Sequence, residues 1–325
     1  MNNRKRMKGL AILLGLAVAL SFSAALAGDR DRDDRERYED KFEKTEALAI
    51  DGKLFLINVS GDIEITSWKE NQVKIEALKV ARASSLDKAK ENANLVTIEV
   101  TREGGALRIE TKYPERRNFW GDQSINVSVS YKIRVPEKAA VDVRSISGDI
   151  KLVSIGGAAK IDGVSGDVDV LGAAGLEAKV VSGNVTLDGI LGDAYLKSVS
   201  GDVRATKIKG SVEMESVSGN LELKDVAEAR TVKGKTVSGD VTYVGTILAG
   251  GNYELGTHSG NVEMRIPAAS AFDFEANTFS GVIDSDFQIQ VMGRISPKEI
   301  RGTVNKGGAR IRLSSFNGDI ELKKY

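Results

Sequence analysis

Ser147-Gly148-Asp149-Ile150-Lys151-Leu152, Ser165-Gly166-Asp167-Val168-Asp169-Val170 and Ser182-Gly183-Asn184-Val185-Thr186-Leu187 are three statements of one pattern. It returns at Ser200-Gly201-Asp202, Ser218-Gly219-Asn220, Ser238-Gly239-Asp240 and Ser259-Gly260-Asn261, and in degenerate form at Ser280-Gly281-Val282. Successive glycines are 18, 17, 18, 18, 20, 21 and 21 residues apart. A fixed period of this size marks a repeat fold, in which each unit covers the apolar face of the next. The third residue after each Ser is Ile, Val or Leu, the fourth is polar, and the fifth is mostly apolar. Alternation held in one register across eight copies predicts strands stacked on each other around a shared interior.

A second strand per unit is marked by Ile161, Ala178, Leu196, Met214 and Val232. Gly192 and Gly210 follow the corner glycines Gly183 and Gly201 by nine residues, so each unit is two half-turns. The predicted fold is all-β: a parallel β-helix (β-solenoid) of 18–21 residues per coil. Eight coils at about 4.8 Å each give a rod on the order of 40 Å long. Gly supplies the positive φ that the corner needs. Asp or Asn can bond backbone N–H groups there, and Ser can do the same or form a hydroxyl ladder. The third corner position reads Asp149, Asp167, Asn184, Asp202, Asn220, Asp240, Asn261. This alternation lowers the repulsion between stacked carboxylates and would let each Asn amide donate to an Asp.

Outward from the repeat, the chain divides into five parts. Residues 1–27 have a basic start (Arg4, Lys5, Arg6, Lys8), an apolar run from Leu10 to Phe22, and Ala25-Leu26-Ala27. That is the form of a secretory signal peptide, with an uncleaved anchor as its rival. Residues 28–41 are dense in mixed charge and read as a disordered tether. Residues 42–136 hold an isolated early copy of the corner at Ser60-Gly61-Asp62, further strands, and a short helix near 84–92 that Ser84 or Ser85 would cap. Residues 137–285 are the regular coils. Residues 286–325 are capping coils, with a hairpin signal at Lys306-Gly307-Gly308 and a last corner at Asn317-Gly318-Asp319.

Composition narrows the chemistry. The chain of 325 residues has no Cys, which excludes disulfides and thiolate chemistry. Beyond residue 27 the net charge is −4, without the basic footprint of a nucleic-acid binder. The single His, His258, takes the place that Ile146, Val164, Val181, Val199, Val217 and Val237 hold in other copies, so it reads as a packed coil residue rather than a base. The glycine-rich calcium-roll pattern is absent, and the acids at the corners are explained by the repeat itself. No catalytic, metal or cofactor residue is assigned, and no cofactor is expected. The stretch Tyr113–Gln123, with Arg116, Arg117, Phe119 and Trp120, is read either as a recognition patch or as a loop capping the rod.

Four stretches together resemble a bacterial adhesin family of domains of unknown function. They are the entry Leu54–Ile65 with Trp68, the array start Val143–Ile150, the Ser-Gly-Asp coils, and the terminal Gly307–Leu322. The resemblance covers residues 42–325. It implies a single-stranded, right-handed parallel β-helix in an exported protein and carries no catalytic site with it. The expected function is non-enzymatic: cell-envelope structure or surface interaction with protein or glycan, in the periplasm, on the surface or in the medium. The alternative is a carbohydrate-active β-helix enzyme of the polysaccharide lyase or hydrolase type. A groove whose acids break the column pattern would favour that alternative.

Overall fold

Leu54, Leu56, Ile63 and Ile65 point into one interior and Phe55, Ile57, Glu64 and Thr66 away from it, and this alternation repeats throughout. The computed structural model describes residues 35–114, 125–292 and 296–325. Among them are 25 strands and one helix. The first group is β1 (Glu36–Ala47), β2 (Lys53–Ser60), β3 (Ile63–Trp68), β4 (Gln72–Ala83), α1 (Leu86–Leu95), β5 (Thr97–Glu103), β6 (Ala106–Lys112) and β7 (Asn126–Pro136). The regular array follows: β8 (Ala140–Ser147), β9 (Ile150–Ser165), β10 (Val168–Ser182), β11 (Val185–Ile190), β12 (Ala194–Ser200), β13 (Val203–Thr206), β14 (Val212–Glu215), β15 (Leu221–Val226), β16 (Thr231–Ser238), β17 (Val241–Gly245), β18 (Asn252–Ser259) and β19 (Val262–Ile266). The last group is β20 (Phe272–Thr278), β21 (Ile283–Ser285), β22 (Gln290–Val291), β23 (Glu299–Val304), β24 (Ala309–Asn317) and β25 (Ile320–Lys324).

Each coil has one strand before the Ser-Gly-Asx corner and one after it. The strands before the corner stack in parallel, as in Ser147↔Ser165, Ser182↔Ser200 and Ser238↔Ser259. The strands after it do the same: Ile150↔Val168, Val185↔Val203, Leu221↔Val241 and Val241↔Val262. The result is a β-solenoid with two stacked faces and a filled interior. Along the second face Ile63, Ile150, Val168, Val185, Val203, Leu221, Val241, Val262 and Ile320 form one buried column. Val232 belongs one inward position earlier than the pattern suggests. It pairs with Val212, and Gly234 is the residue opposite Met214.

Chain order and spatial order part at both ends. At the start, β2 lies between β6 and β8, and β3 between β7 and β9. Ser60-Gly61-Asp62 is therefore no isolated copy: it is the neighbour of Ser147-Gly148-Asp149 in the corner column. At the end, β24 lies between β18 and β20, and β25 between β19 and β21. The terminal strands thus slot in beneath the Ser280 corner instead of capping the rod. The expected hairpin around Lys306-Gly307-Gly308 does not form. β23 and β24 bond to opposite edges of β20, and the chain crosses between them through Asn305, Lys306, Gly307 and Gly308, all at positive φ.

At the entry end the stacking turns antiparallel: β7–β4–β1 on one face and β6–β5 on the other. The strand β1 begins at Glu36, inside the stretch read as a tether. Its charged residues alternate with Tyr38 and Phe42, which pack on the core, and it bonds β4 from Glu36↔Ala83 to Ala47↔Gln72. A charged strand at a sheet edge also discourages edge-to-edge association. Helix α1 starts one residue after Ser85, whose hydroxyl accepts the Lys88 N–H at 3.3 Å, and it packs Ala89 and Ala93 inward. No helix among the described residues is long and apolar enough to cross a membrane.

Candidate functional site

The corner column is built from backbone outward. Gly61, Gly148, Gly166, Gly183, Gly201, Gly219, Gly239, Gly260 and Gly318 all lie at φ between 113° and 155°. A Cβ on Gly201 would sit 2.1 Å from the Gly183 carbonyl oxygen, so the coils approach too closely there for any side chain. The Asx side chains form a directional ladder. Asp62 Oδ1 accepts the Asp149 N–H at 3.0 Å, Asp149 Oδ1 that of Asp167 at 2.9 Å, and Asp167 Oδ1 that of Asn184 at 2.7 Å. Asn184, Asp202, Asn220 and Asp240 continue it through to the Asn261 N–H. Asn261 then bonds Asp319, and Asp319 bonds Val282. What the ladder uses is the side-chain oxygen common to Asp and Asn. The expected donation from Asn amides to Asp carboxylates is not how it is joined.

The hydroxyls of Ser147, Ser165, Ser182, Ser200, Ser218, Ser238 and Ser259 are likewise not the ladder's members: six of these residues are exposed and Ser259 is half-buried. A second, hidden column does that work two residues earlier. Thr236, Thr257, Ser315 and Thr278 are buried and donate to the carbonyls of Gly219, Gly239, Gly260 and Gly318 at 2.9–3.1 Å. At the entry end Asn58 takes this place. Its amide donates to the carbonyl of Val129, and Thr111 bridges its Oδ1 to the Tyr131 hydroxyl. Burial pushes the Tyr131 phenol up to about 12.

The residue directly before each corner Ser faces solvent. Ile146, Val164, Val181, Val199, Val217 and Val237 are 39–53% exposed, and the column continues through His258, Phe316 and Phe279. The expectation that His258 packs inside a coil is therefore overturned. Inward positions lie two and four residues before the Ser, so strict alternation turns the preceding residue outward. His258 instead stacks on Phe316, and Phe316 on Phe279, both with ring centroids 4.7 Å apart. Nine apolar or aromatic positions stand in one line about 40 Å long. The available sign was the alternation itself: Ile161, Ala178, Leu196 and Met214 lie four residues before their Ser, which puts the residue directly before it on the other face.

Beside this stripe the outward residues are charged and mutually paired. Lys233 lies between Glu213 and Glu215, and Lys197 also reaches Glu215 at 3.0 Å. Hydrogen bonds from Lys233 and Lys197 hold the Glu215 carboxyl down at about 2. On the other face, next to the antiparallel entry strands, lies an open groove of 760 Å³. Asp62, Asp149, Glu64 and Asp169 line it, together with Glu43 and Glu76 from the entry strands and Lys41, Lys132 and Lys151. The first four acids obey the ladder and the outward column. Glu76 is held below the usual carboxylate range by the hydrogen bond from Lys74, so it is a charged partner and not a proton donor. Among the described residues no cluster of His, Asp and Glu is arranged to hold a metal ion. Arg116, Arg117, Phe119 and Trp120 lie outside the described residues.

The family profile described as Toastrack DUF4097 matches residues 53–323. No curated protein matches the chain. Three solved structures are similar in extent though distant in sequence. A "putative cell adhesion protein" from Clostridium sporogenes is 12% identical over 88% of this chain and 100% of that one, with a TM-score of 0.27. A "putative adhesin" from Bacteroides fragilis is 11% identical over 87% and 97%, with a TM-score of 0.39. A "putative lipid binding protein" from Parabacteroides distasonis is 10% identical over 87% and 96%, with a TM-score of 0.28.

Proposed function

Because the chain belongs to the Toastrack DUF4097 family, whose description names no reaction, we propose a function carried by its surface: an exported, non-enzymatic, right-handed β-solenoid that makes contacts in the cell envelope. The observation that supports this reading is the exposed apolar stripe from Ile146 to Phe279. Soluble proteins seldom leave a continuous apolar line of this length open to water, and such lines mark interaction sites. Export rests on the signal-like residues 1–27, and the contact partner is protein or glycan at the envelope. The groove beside Asp62 is the place where a polysaccharide lyase or hydrolase would act; of its acids Glu43 and Glu76 stand outside the columns, and Glu76 is paired with Lys74. The test compares residues 28–325 with the double variant Val199→Lys/Val217→Lys on a glycan array and against isolated envelope fractions. Binding that the wild type shows and the variant loses, with an unchanged circular dichroism spectrum, supports the reading. Release of unsaturated or reducing ends from a polysaccharide substrate would overturn it.

A further inference from the structure

Resting on that reading of the stripe, we infer that its partner is a second copy of this chain, packed side by side with both rods running in the same direction. The stripe is straight, and its side chains recur at the pitch of the parallel ladder, about 4.8 Å. A second copy presents an apolar line of the same pitch, so the β-branched side chains of the two lines can pack against each other along their whole length. The stripe and the outward columns on either side of it, each on the order of 7 Å away, cover roughly 600 Å² per copy. Two copies then bury about 1,200 Å² in total, the lower limit of the standard range for a specific interface.

Charge selects the direction. One flank of the stripe is the Asx ladder, acidic through Asp149, Asp167, Asp202 and Asp240. The other flank is the outward column three residues before each Ser. Arg144, Lys179, Lys197 and Lys235 there outnumber Asp162 and Glu215, and each is paired with an acid of its own copy, so this flank is mixed in sign. A two-fold axis along the rod lays the acidic flank of each copy over the mixed flank of the other. A two-fold axis across the rod lays acid on acid, which like-charge repulsion disfavours. In the parallel arrangement each stripe residue meets its own counterpart, because an isologous interface repeats every contact about the axis.

The chain has no cysteine, so single cysteines report the arrangement directly. In sedimentation equilibrium the mature chain 28–325 should dimerise, and Val199→Lys/Val217→Lys should raise the dissociation constant at least 100-fold. With a short bismaleimide cross-linker Val164→Cys and Val217→Cys should both form covalent dimers, since facing counterparts lie one sheet spacing, ~10 Å, apart. Cross-linking at Val217→Cys alone, which is near the middle of the stripe, would mean antiparallel rods and overturn the assignment. So would a wild-type mass that stays monomeric with no cross-link at either position. If that monomer still shows stripe-dependent glycan or protein capture, the second copy fails as partner while the interaction reading stands.

Discussion

Gly201 carries two constraints that no other residue type meets together: φ of 119° and a carbonyl 2.1 Å from where a Cβ would be. Neither the backbone of its own corner nor that of the Gly183 corner can give way without disturbing the ladder on both sides. Gly201→Ala should therefore destabilise the protein by about 3 kcal/mol or more, combining left-handed strain with a main-chain clash. Gly104, at φ of 62° with nothing within 4 Å, is the control, and its change to Ala should cost about 1 kcal/mol. Urea unfolding of the two variants measures the difference, and equal costs would show that the corner stack is looser than the geometry states. Glu215 makes a pH prediction. Its carboxyl is brought from 4.5 to about 2 by Lys233 and Lys197. A lowered folded value means that the stabilisation is complete above about pH 4.5 and drains away as the pH falls toward 2. Wild type should exceed Glu215→Gln by about 1 kcal/mol at pH 7, once solvent screening of this partly exposed network is allowed for. The gap should close between pH 4.5 and 2. A gap that is constant with pH would assign the effect to packing.

The paired strands β24 and β25 show what a repeat pattern contains and what it omits. The alternation at Ile311, Leu313, Ile320 and Leu322 fixes them as coil strands with those residues buried, and this was legible from residue spacing alone. Their place beneath the Ser280 corner was not. Near-identical coils fit one another in any order, so the period states that strands stack without stating which is whose neighbour. The same ambiguity hid the pairing of Ser60 with Ser147, 87 positions along the chain. The glycines at 307 and 308 were read as a hairpin because two strands flank them. They serve instead to carry the chain across β20. The outward stripe was obscured for another reason: valine suits a strand on either face, so its identity alone did not give its direction. The observed order has a consequence for stability. Removing residues 309–325 empties a slot inside the rod, leaving β18 and β19 unpaired on one side and β20 and β21 on the other. The truncated chain should lose cooperative unfolding of the region beyond β18, with fast amide exchange from Asn252 onward, while β9 to β14 stay protected. Protection unchanged at Val262 and Met264 would place the terminal strands outside the stack.

As a whole the molecule is a ladder in one dimension, with each coil bonded only to its two neighbours. Its stability should behave as a sum over coils and the contacts between them, up to the out-of-order ends. Excising one full period tests this. Deleting Gly201–Ser218 joins Ser200 to Gly219, which leaves every column continuous: Val185 meets Leu221 and Leu187 meets Leu223 inside, and Asn184 Oδ1 faces the Asn220 N–H on the ladder. The shortened protein should fold with the same circular dichroism per residue. Its long dimension in solution scattering should fall by about 5 Å, one coil rise. Deleting seventeen of those residues, Gly201–Val217, leaves Ser218 as an extra residue at the corner itself. The native coils absorb a one-residue difference away from the corner, as at the register shift between Ala173 and Gly175, whereas the stacked corner glycines leave no room for one. That variant should fail to fold or should collect in inclusion bodies. Equal behaviour of the two deletions would mean that the columns do not hold the coils in register. It would also remove the basis of the interaction stripe, because nine residues from nine different coils form one line only while that register persists.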